Sequence, residues 1–233
     1  LDFPGDYILR VIDSEGCTFQ TLPITLTERT APTIALGAVD YCYSSTNTSE
    51  ITVTSSAGTA ALATHQFRIN GGPLQPGPAG TYTFTGLVPG NYNIEVVDGD
   101  NCSAALPTVT IPPQLQVTLA LNTEVQCGGP GEMKITIIGG DISNLASAFY
   151  TVLKDGTPVV GYNNVPIPVD TYAVPGEHAF DYPIPYGEHG DYTVQITDNN
   201  TCSDISEALT FIEPTNIAAT HQVTGPSCGD PNS

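Results

Sequence analysis

The sequence predicts an all-β fold, a chain of tandem immunoglobulin-like β-sandwich domains, on three observations. A thirteen-residue pattern occurs three times, as GDYILRVIDSEGC (5–17), GNYNIEVVDGDNC (90–102) and GDYTVQITDNNTC (190–202). Between the copies lie short segments that alternate apolar and polar side chains, and none of any length has a 3.6-residue period. Gly (23 of 233) and Pro (20) punctuate these segments at turn-like intervals.

The repeated unit reads as one β-hairpin. Tyr7, Leu9 and Val11 alternate with Ile8, Arg10 and Ile12, and the second and third copies repeat this with Tyr92, Ile94, Val96 and Tyr192, Val194, Ile196. A period of two with β-branched residues on one side marks a half-buried strand. Asp13, Asp98 or Asp198 then meets small, polar or glycine residues, which is turn chemistry because Asp bonds nearby amides and Gly or Asn tolerates positive φ. Alternating segments at 21–28, 106–113 and 208–214 supply the returning strand. A turn ahead of each Tyr, as in LVPGNY (87–92), predicts a structural tyrosine corner at Tyr7, Tyr92 and Tyr192, with the hydroxyl bonded to backbone just upstream.

The copies recur at roughly 85 to 100 residues, a domain-sized period too long for a solenoid. Segments 32–41, 49–56, 65–71 and 80–87 read as the strands of one sandwich, and 115–125, 132–140 and 148–156 as those of the next, followed by less regular sequence. The expected organisation is a closing hairpin of a preceding repeat (1–30), a full repeat (31–113), and a second full repeat with a longer insert at 154–189 (114–214). The start of another (215–233) follows, so the chain reads as an excerpt of a longer array.

With 5 Lys plus Arg against 24 Asp plus Glu the net charge is −19, which disfavours nucleic acid and anionic membrane surfaces as partners. No apolar run is long enough for membrane insertion, and residues 1–20 do not read as a signal peptide. No nucleophile elbow, phosphate loop or zinc-helix motif is present, so an enzyme is not expected.

Six cysteines, Cys17, Cys42, Cys102, Cys127, Cys202 and Cys228, recur twice per period and read as a disulfide framework. No Cys-x-x-Cys pair supports zinc. Two connectivities stand. Pairing within a domain joins Cys42 to Cys102 and Cys127 to Cys202. In a sandwich these positions fall at opposite ends of a strand, about 33 Å apart, while bridged Cα atoms lie within about 7 Å. Pairing between neighbouring repeats, Cys42 with Cys202, avoids that and is placed first, the remaining cysteines then pairing beyond this stretch. Stapled repeats with short linkers such as Pro112-Pro113 would form a stiff rod.

Calcium is the cofactor that the acidic excess would suit. DGDN (98–101) and DNN (198–200) bring carboxylates and amides together, but neither makes a full calcium loop, and turn formation is the stronger reading. Two Glu-His pairs, at 177–178 and 188–189, would bind a metal only if the segment folds back on itself; exposed loop residues are the stronger reading. The insert concentrates Tyr162, Tyr172, Phe180, Tyr182 and Tyr186 among prolines. Such rings either cover a sheet edge or form a surface-binding patch for a partner or a sugar face.

The pattern L-x-P-G-x-Y-x-(I/V)-x-V-x-D-x-x-(G/N)-C, followed by an apolar strand, resembles the repeats of SprB-type gliding-motility adhesins. The resemblance covers the closing hairpins and the early cysteines Cys42, Cys127 and Cys228, and is weak between them; Phe67 stands roughly where that family often has Trp. It implies type IX secretion, an extracellular, cell-surface location and adhesion. The expected function is a segment of a long secreted adhesin or fibre. Its partners would be an extracellular surface or polysaccharide and neighbouring repeats of the same chain, with self-assembly as a further option. The alternatives are a carbohydrate-binding or accessory module of a secreted enzyme, and a subunit of a polymeric surface filament.

Overall fold

The computed structural model describes residues 3–126 and 129–213. The fold is all-β, tandem immunoglobulin-like sandwiches in which every strand pairing is antiparallel. Two compact units divide the chain. The first runs to Leu115 and takes in Gly139–Asp141 and Asn200–Cys202; the second holds the remainder.

The first unit opens with β1 (Gly5–Tyr7), β2 (Arg10–Ile12), β3 (Thr18–Gln20) and β4 (Ile24–Leu26). These form a single hairpin: β2 pairs β3 beside the turn, and β1 pairs β4 farther along. The sandwich follows, with β5 (Thr33–Asp40), β6 (Ser49–Ser56), β7 (Gln66–Ile69), β8 (Gln75–Pro76) and β9 (Thr81–Leu87). It closes with β10 (Gly90–Tyr92), β11 (Ile94–Val97), β12 (Ser103–Ala105) and β13 (Val109–Ile111). One sheet has the order β5-β6-β9 and the other β12-β11-β7-β8, with β10 paired to β13. In immunoglobulin lettering these are A-B-E and G-F-C-C′. The alternation read from the sequence puts Ile51, Val53 and Phe84 of the first sheet against Phe67, Ile94, Val96, Val109 and Ile111. Each such side chain contributes about 1.5–3 kcal/mol by leaving water.

The second unit repeats the order. Its strands are β14 (Gln116–Thr123), β15 (Gly131–Ile138), β16 (Phe149–Lys154), β17 (Thr157–Pro158) and β18 (Val165–Pro166). Then come β19 (Glu177–Ile184), β20 (Gly190–Thr197), β21 (Ser203–Ile205) and β22 (Leu209–Phe211). The sheets are β14-β15-β19 and β17-β16-β20-β21, with β18 on β16 and β22 on β20. Along β15, Met133, Ile135 and Ile137 are buried while Glu132, Lys134 and Thr136 point outward.

Two expectations need correction. The segment before the third hairpin, read as irregular, contains the eight-residue strand β19, aligned with β15 from Gly131↔Ile184 to Ile138↔Glu177. Phe180 and Tyr182, read among candidate surface-binding rings, face inward from β19 and are fully packed in the core. Strand periodicity dictates this: they alternate with Asp181 and Pro183, which face out.

Candidate functional site

The three closing hairpins carry the most regular polar geometry in the molecule. Tyr7 Oη donates to the Phe3 carbonyl (2.6 Å), Tyr92 Oη to Val88 (2.6 Å) and Tyr192 Oη to Glu188 (3.4 Å), always four residues upstream. The next polar link is also triplicate: Thr25, Thr110 and Thr210 hydroxyls donate to Asp6, Asn91 and Asp191 at 2.5–2.8 Å. The glycine before this position takes φ of 151°, 157° and 140° at Gly5, Gly90 and Gly190, backbone that side chains with a Cβ rarely adopt.

The first two copies share the turn in equal detail. Asp13 Oδ1 accepts the N–H of Glu15 and of Cys17, both at 2.9 Å. Asp98 Oδ1 accepts those of Asp100 (2.9 Å) and Cys102 (2.8 Å). Backbone bonds between Asp and Cys flank each pair at 3.0 Å. Asp98 and Asp198 are both buried. The Asp13 and Asp98 carboxylates therefore act as turn formers; among the described residues no three His, Cys, Asp or Glu side chains gather as a metal site. The residue before the cysteine is left-handed in all three copies: Gly16 (φ 86°), Asn101 (62°) and Thr201 (65°). Thr is the costly choice there, because its branched Cβ crowds the carbonyl.

The cysteines diverge in state. Cys42, two residues past β5, forms a disulfide with Cys202 of the third turn, Cα–Cα 5.2 Å, across 160 residues of sequence. That is the pairing between repeats rather than the Cys42–Cys102 pairing. Cys17 and Cys102, read as members of the framework, are free thiols here, Cys17 exposed and Cys102 half-buried. The bonded turn cysteine has a partner brought to it by the fold; these two have none among the described residues. Cys127 and Cys228, and the repeat start at 215–233, lie outside the described residues.

The insert's aromatic residues scatter over several environments. Phe180 and Tyr182 belong to the core. Tyr162 is half-buried and meets Tyr182 edge-on at 4.7 Å. Tyr172 lies on the outer face of β14-β15-β19: its hydroxyl donates to Asp181 (2.5 Å), Asn122 Nδ2 donates to it (3.0 Å), and Lys134 Nζ sits 4.0 Å from its ring centre. The bond to Asp181 pushes the Tyr172 phenol above its ordinary value. Asp170, which accepts the Tyr172 N–H, is held below the usual carboxylate range. Tyr186 alone of the five is broadly exposed, at 65 %. A groove of about 400 Å³ in this unit is lined by Lys154, Val159, Val160, Tyr182, Glu188 and Tyr192, with a Lys154–Glu188 ion pair among its walls. That ion pair had no local signal in the sequence, since its partners lie on different strands and turns.

The three histidines among the described residues do not converge. His178 Nε2 bonds the Pro168 carbonyl (2.8 Å), and His189 lies 3.9 Å from Glu213. His65 is buried in the first unit with Nδ1 2.7 Å from the Ser55 hydroxyl, a contact the sequence did not suggest.

No protein-family model matches the chain, and no curated protein matches it. Among solved structures, the C-terminal 282-residue fragment of intimin, solved in complex with the intimin-binding domain of the translocated intimin receptor, aligns at 12 % identity with a TM-score of 0.45. That alignment covers 79 % of this chain and 64 % of the fragment. A tetra-tandem repeat from the extending region of a large adhesion protein aligns at 18 % identity with a TM-score of 0.33, over 88 % of this chain and 57 % of that one. Likenesses this distant carry no inference about activity or partners.

Proposed function

We propose that this chain is a segment of a long, secreted, cell-surface adhesin or fibre, whose repeats set reach and present adhesive surface rather than catalyse a reaction. One observation carries the reading: a single hairpin, with the same register and the same tyrosine and threonine links, recurs three times, and two of its copies close sandwiches of the same strand order. The disulfide between a first-strand cysteine and a later turn cysteine supports an oxidising, extracellular setting. The acidic surface suits solvated display. The finer reading, a gliding-motility adhesin exported by the type IX system, rests on the hairpin pattern.

Antibodies raised against the purified chain test the location. They are expected to label intact cells of the source organism; labelling only after lysis would overturn the reading. Adhesion is tested with beads coated in the chain. Greater retention than albumin-coated beads on polysaccharide-coated or bare glass supports an adhesive role, and equal retention on all surfaces removes it. The groove walled by Lys154, Val159, Val160 and Glu188 favours the carbohydrate-module alternative, which predicts saturable binding of a soluble oligosaccharide lost on Lys154→Ala.

A further inference from the structure

We propose that residues 3–26 are the F–G hairpin of a further sandwich, completed by an A-B-C-E strand set joined ahead of Phe3 in the same polypeptide, and that this set carries a cysteine just past its first strand which forms a disulfide with Cys102. The inference deepens the tandem-array reading and rests on it.

The first observation is a misplaced environment. Strands β1 to β4 keep the register of β10 to β13 pair for pair: Gly5↔Leu26 matches Gly90↔Ile111, and Arg10↔Gln20 matches Glu95↔Ala105. Yet Leu9 is 57 % exposed where Ile94 is 1 %, and Val11 is 62 % exposed where Val96 is 0 %. Ile24 is likewise exposed where Val109 is buried. A continuous apolar face of this kind marks a surface built to be covered.

The two complete copies say what covers it. In them the F strand pairs with a C strand, Val96↔Phe67 in one and Ile196↔Tyr150 in the other. Among the described residues, β2 pairs only with β3. Their A-B-E sheets then supply the opposing face, such as Ile51 and Val53 or Met133 and Ile135. The covering segment belongs to the same polypeptide because strand E enters strand F through a short connection in both copies, from Leu87 to Gly90 and from Ile184 to Gly190.

The second observation concerns Cys102. It occupies the same Asp-x-x-x-Cys turn as Cys202. Cys202 is bonded to the cysteine that follows the first strand of the sandwich before it in sequence. Moved back by one repeat, the counterpart of Cys42 falls in the strand set that would complete residues 3–26. The oxidant is a small-molecule disulfide such as oxidised glutathione. Cys102 thiolate attacks it and expels one glutathione thiolate; the incoming cysteine's thiolate then attacks the mixed disulfide and expels the second. Two protein thiols lose two protons and two electrons, and one glutathione disulfide is reduced to two thiols.

The test places residues 31–87 of this chain, as a representative strand set, directly ahead of Phe3, and compares the extended protein with the original. Hydrogen exchange of the Arg10–Ile12 amides is expected to slow from near solvent rates to those of Glu95–Val97. Cys102, alkylated by iodoacetamide in the original chain, is expected to resist it after oxidative refolding. Mass spectrometry of a non-reducing digest should find it linked to the added copy of Cys42. Unchanged exchange of these amides, or a Cys102 that still alkylates once they are protected, would overturn the proposal. The original chain gives an independent measurement. The double variant Leu9→Asp/Val11→Asp should abolish binding of an apolar dye while leaving thermal unfolding unchanged. If it instead lowers the melting temperature, or if the original chain buries the hairpin by dimerising in sedimentation, the covering partner is a different one. Surface labelling of cells is independent of all these readouts, so the array reading and this inference can fail separately.

Discussion

The hairpin at 5–26 and the hairpin at 90–111 share a backbone and differ in surroundings. Both have the Tyr-to-carbonyl bond, the Thr-to-Asp or Thr-to-Asn link, and an Asp carboxylate holding two turn amides. One presents its apolar face outward and the other is at the centre of a core. The turn and its ladder are thus local properties of a short sequence, whereas burial depends on strands that come from elsewhere in the chain. Polar anchoring sets the shape; packing sets the stability.

The sharpest way to break this comparison is to truncate equivalent apolar residues. Ile94→Ala should cost about 2–5 kcal/mol in urea unfolding, and Leu9→Ala less than about 0.5 kcal/mol. Equal costs would mean the first hairpin is covered after all. Next come the turn carboxylates. Asp98→Ala leaves two amides without their acceptor inside a folded unit and should cost about 1–3 kcal/mol, while Asp13→Ala should leave the thermal unfolding of both units unchanged. The third copy sharpens the picture from the other direction: Thr201→Gly relieves a left-handed β-branched residue and should raise stability by roughly 1 kcal/mol. An unchanged midpoint there would show that the disulfide at Cys202 governs the turn.

The last test has no effect at neutral pH. Burial raises the phenol of Tyr182 well above its ordinary value, and raises those of Tyr150 and Tyr192 as well, all in the second unit. A phenol with a raised folded-state pKa keeps its proton after the unfolded chain has begun to lose its own. Its contribution is complete below about pH 10 and declines as pH rises further. Near-ultraviolet dichroism should therefore show the second unit loosening above that pH, and Tyr182→Phe should delay it. A midpoint independent of alkaline pH would count against buried phenols in that core.

Much of this architecture was legible because period-two alternation is a strong signal. β6, with Ile51 and Val53 inward, and β15, with Met133, Ile135 and Ile137 inward, follow directly from it. The triple Asp-x-x-x-Cys turn and the upstream tyrosine were legible for the same local reason. Strand β19 was not, since Pro183 and Pro185 suggested loop; Pro183 is accommodated opposite Glu132 with its ring on the outer face. That misreading placed Phe180 and Tyr182 on the surface. The anchoring of Tyr172 by Asn122 and Asp181 joins residues 50 and 9 positions away, and the Lys154–Glu188 pair spans 34. No local pattern encodes such meetings. The disulfide lies between these cases: strand length argued against Cys42–Cys102 and put Cys42–Cys202 first, and the fold brings those two cysteines together.

The Cys42–Cys202 bond also determines where tension would travel. A pull on residues outside that covalent loop passes through the two sulfur atoms and bypasses the 160-residue separation between them. The enclosed strands would be spared extension while the bond is intact. Reduction would put the enclosed strands in the path of the load, and their unfolding would then release roughly 500 Å of hidden length. A thiol reagent would therefore convert an inextensible link into one that lengthens once force unfolds the enclosed sandwiches, without cutting the chain.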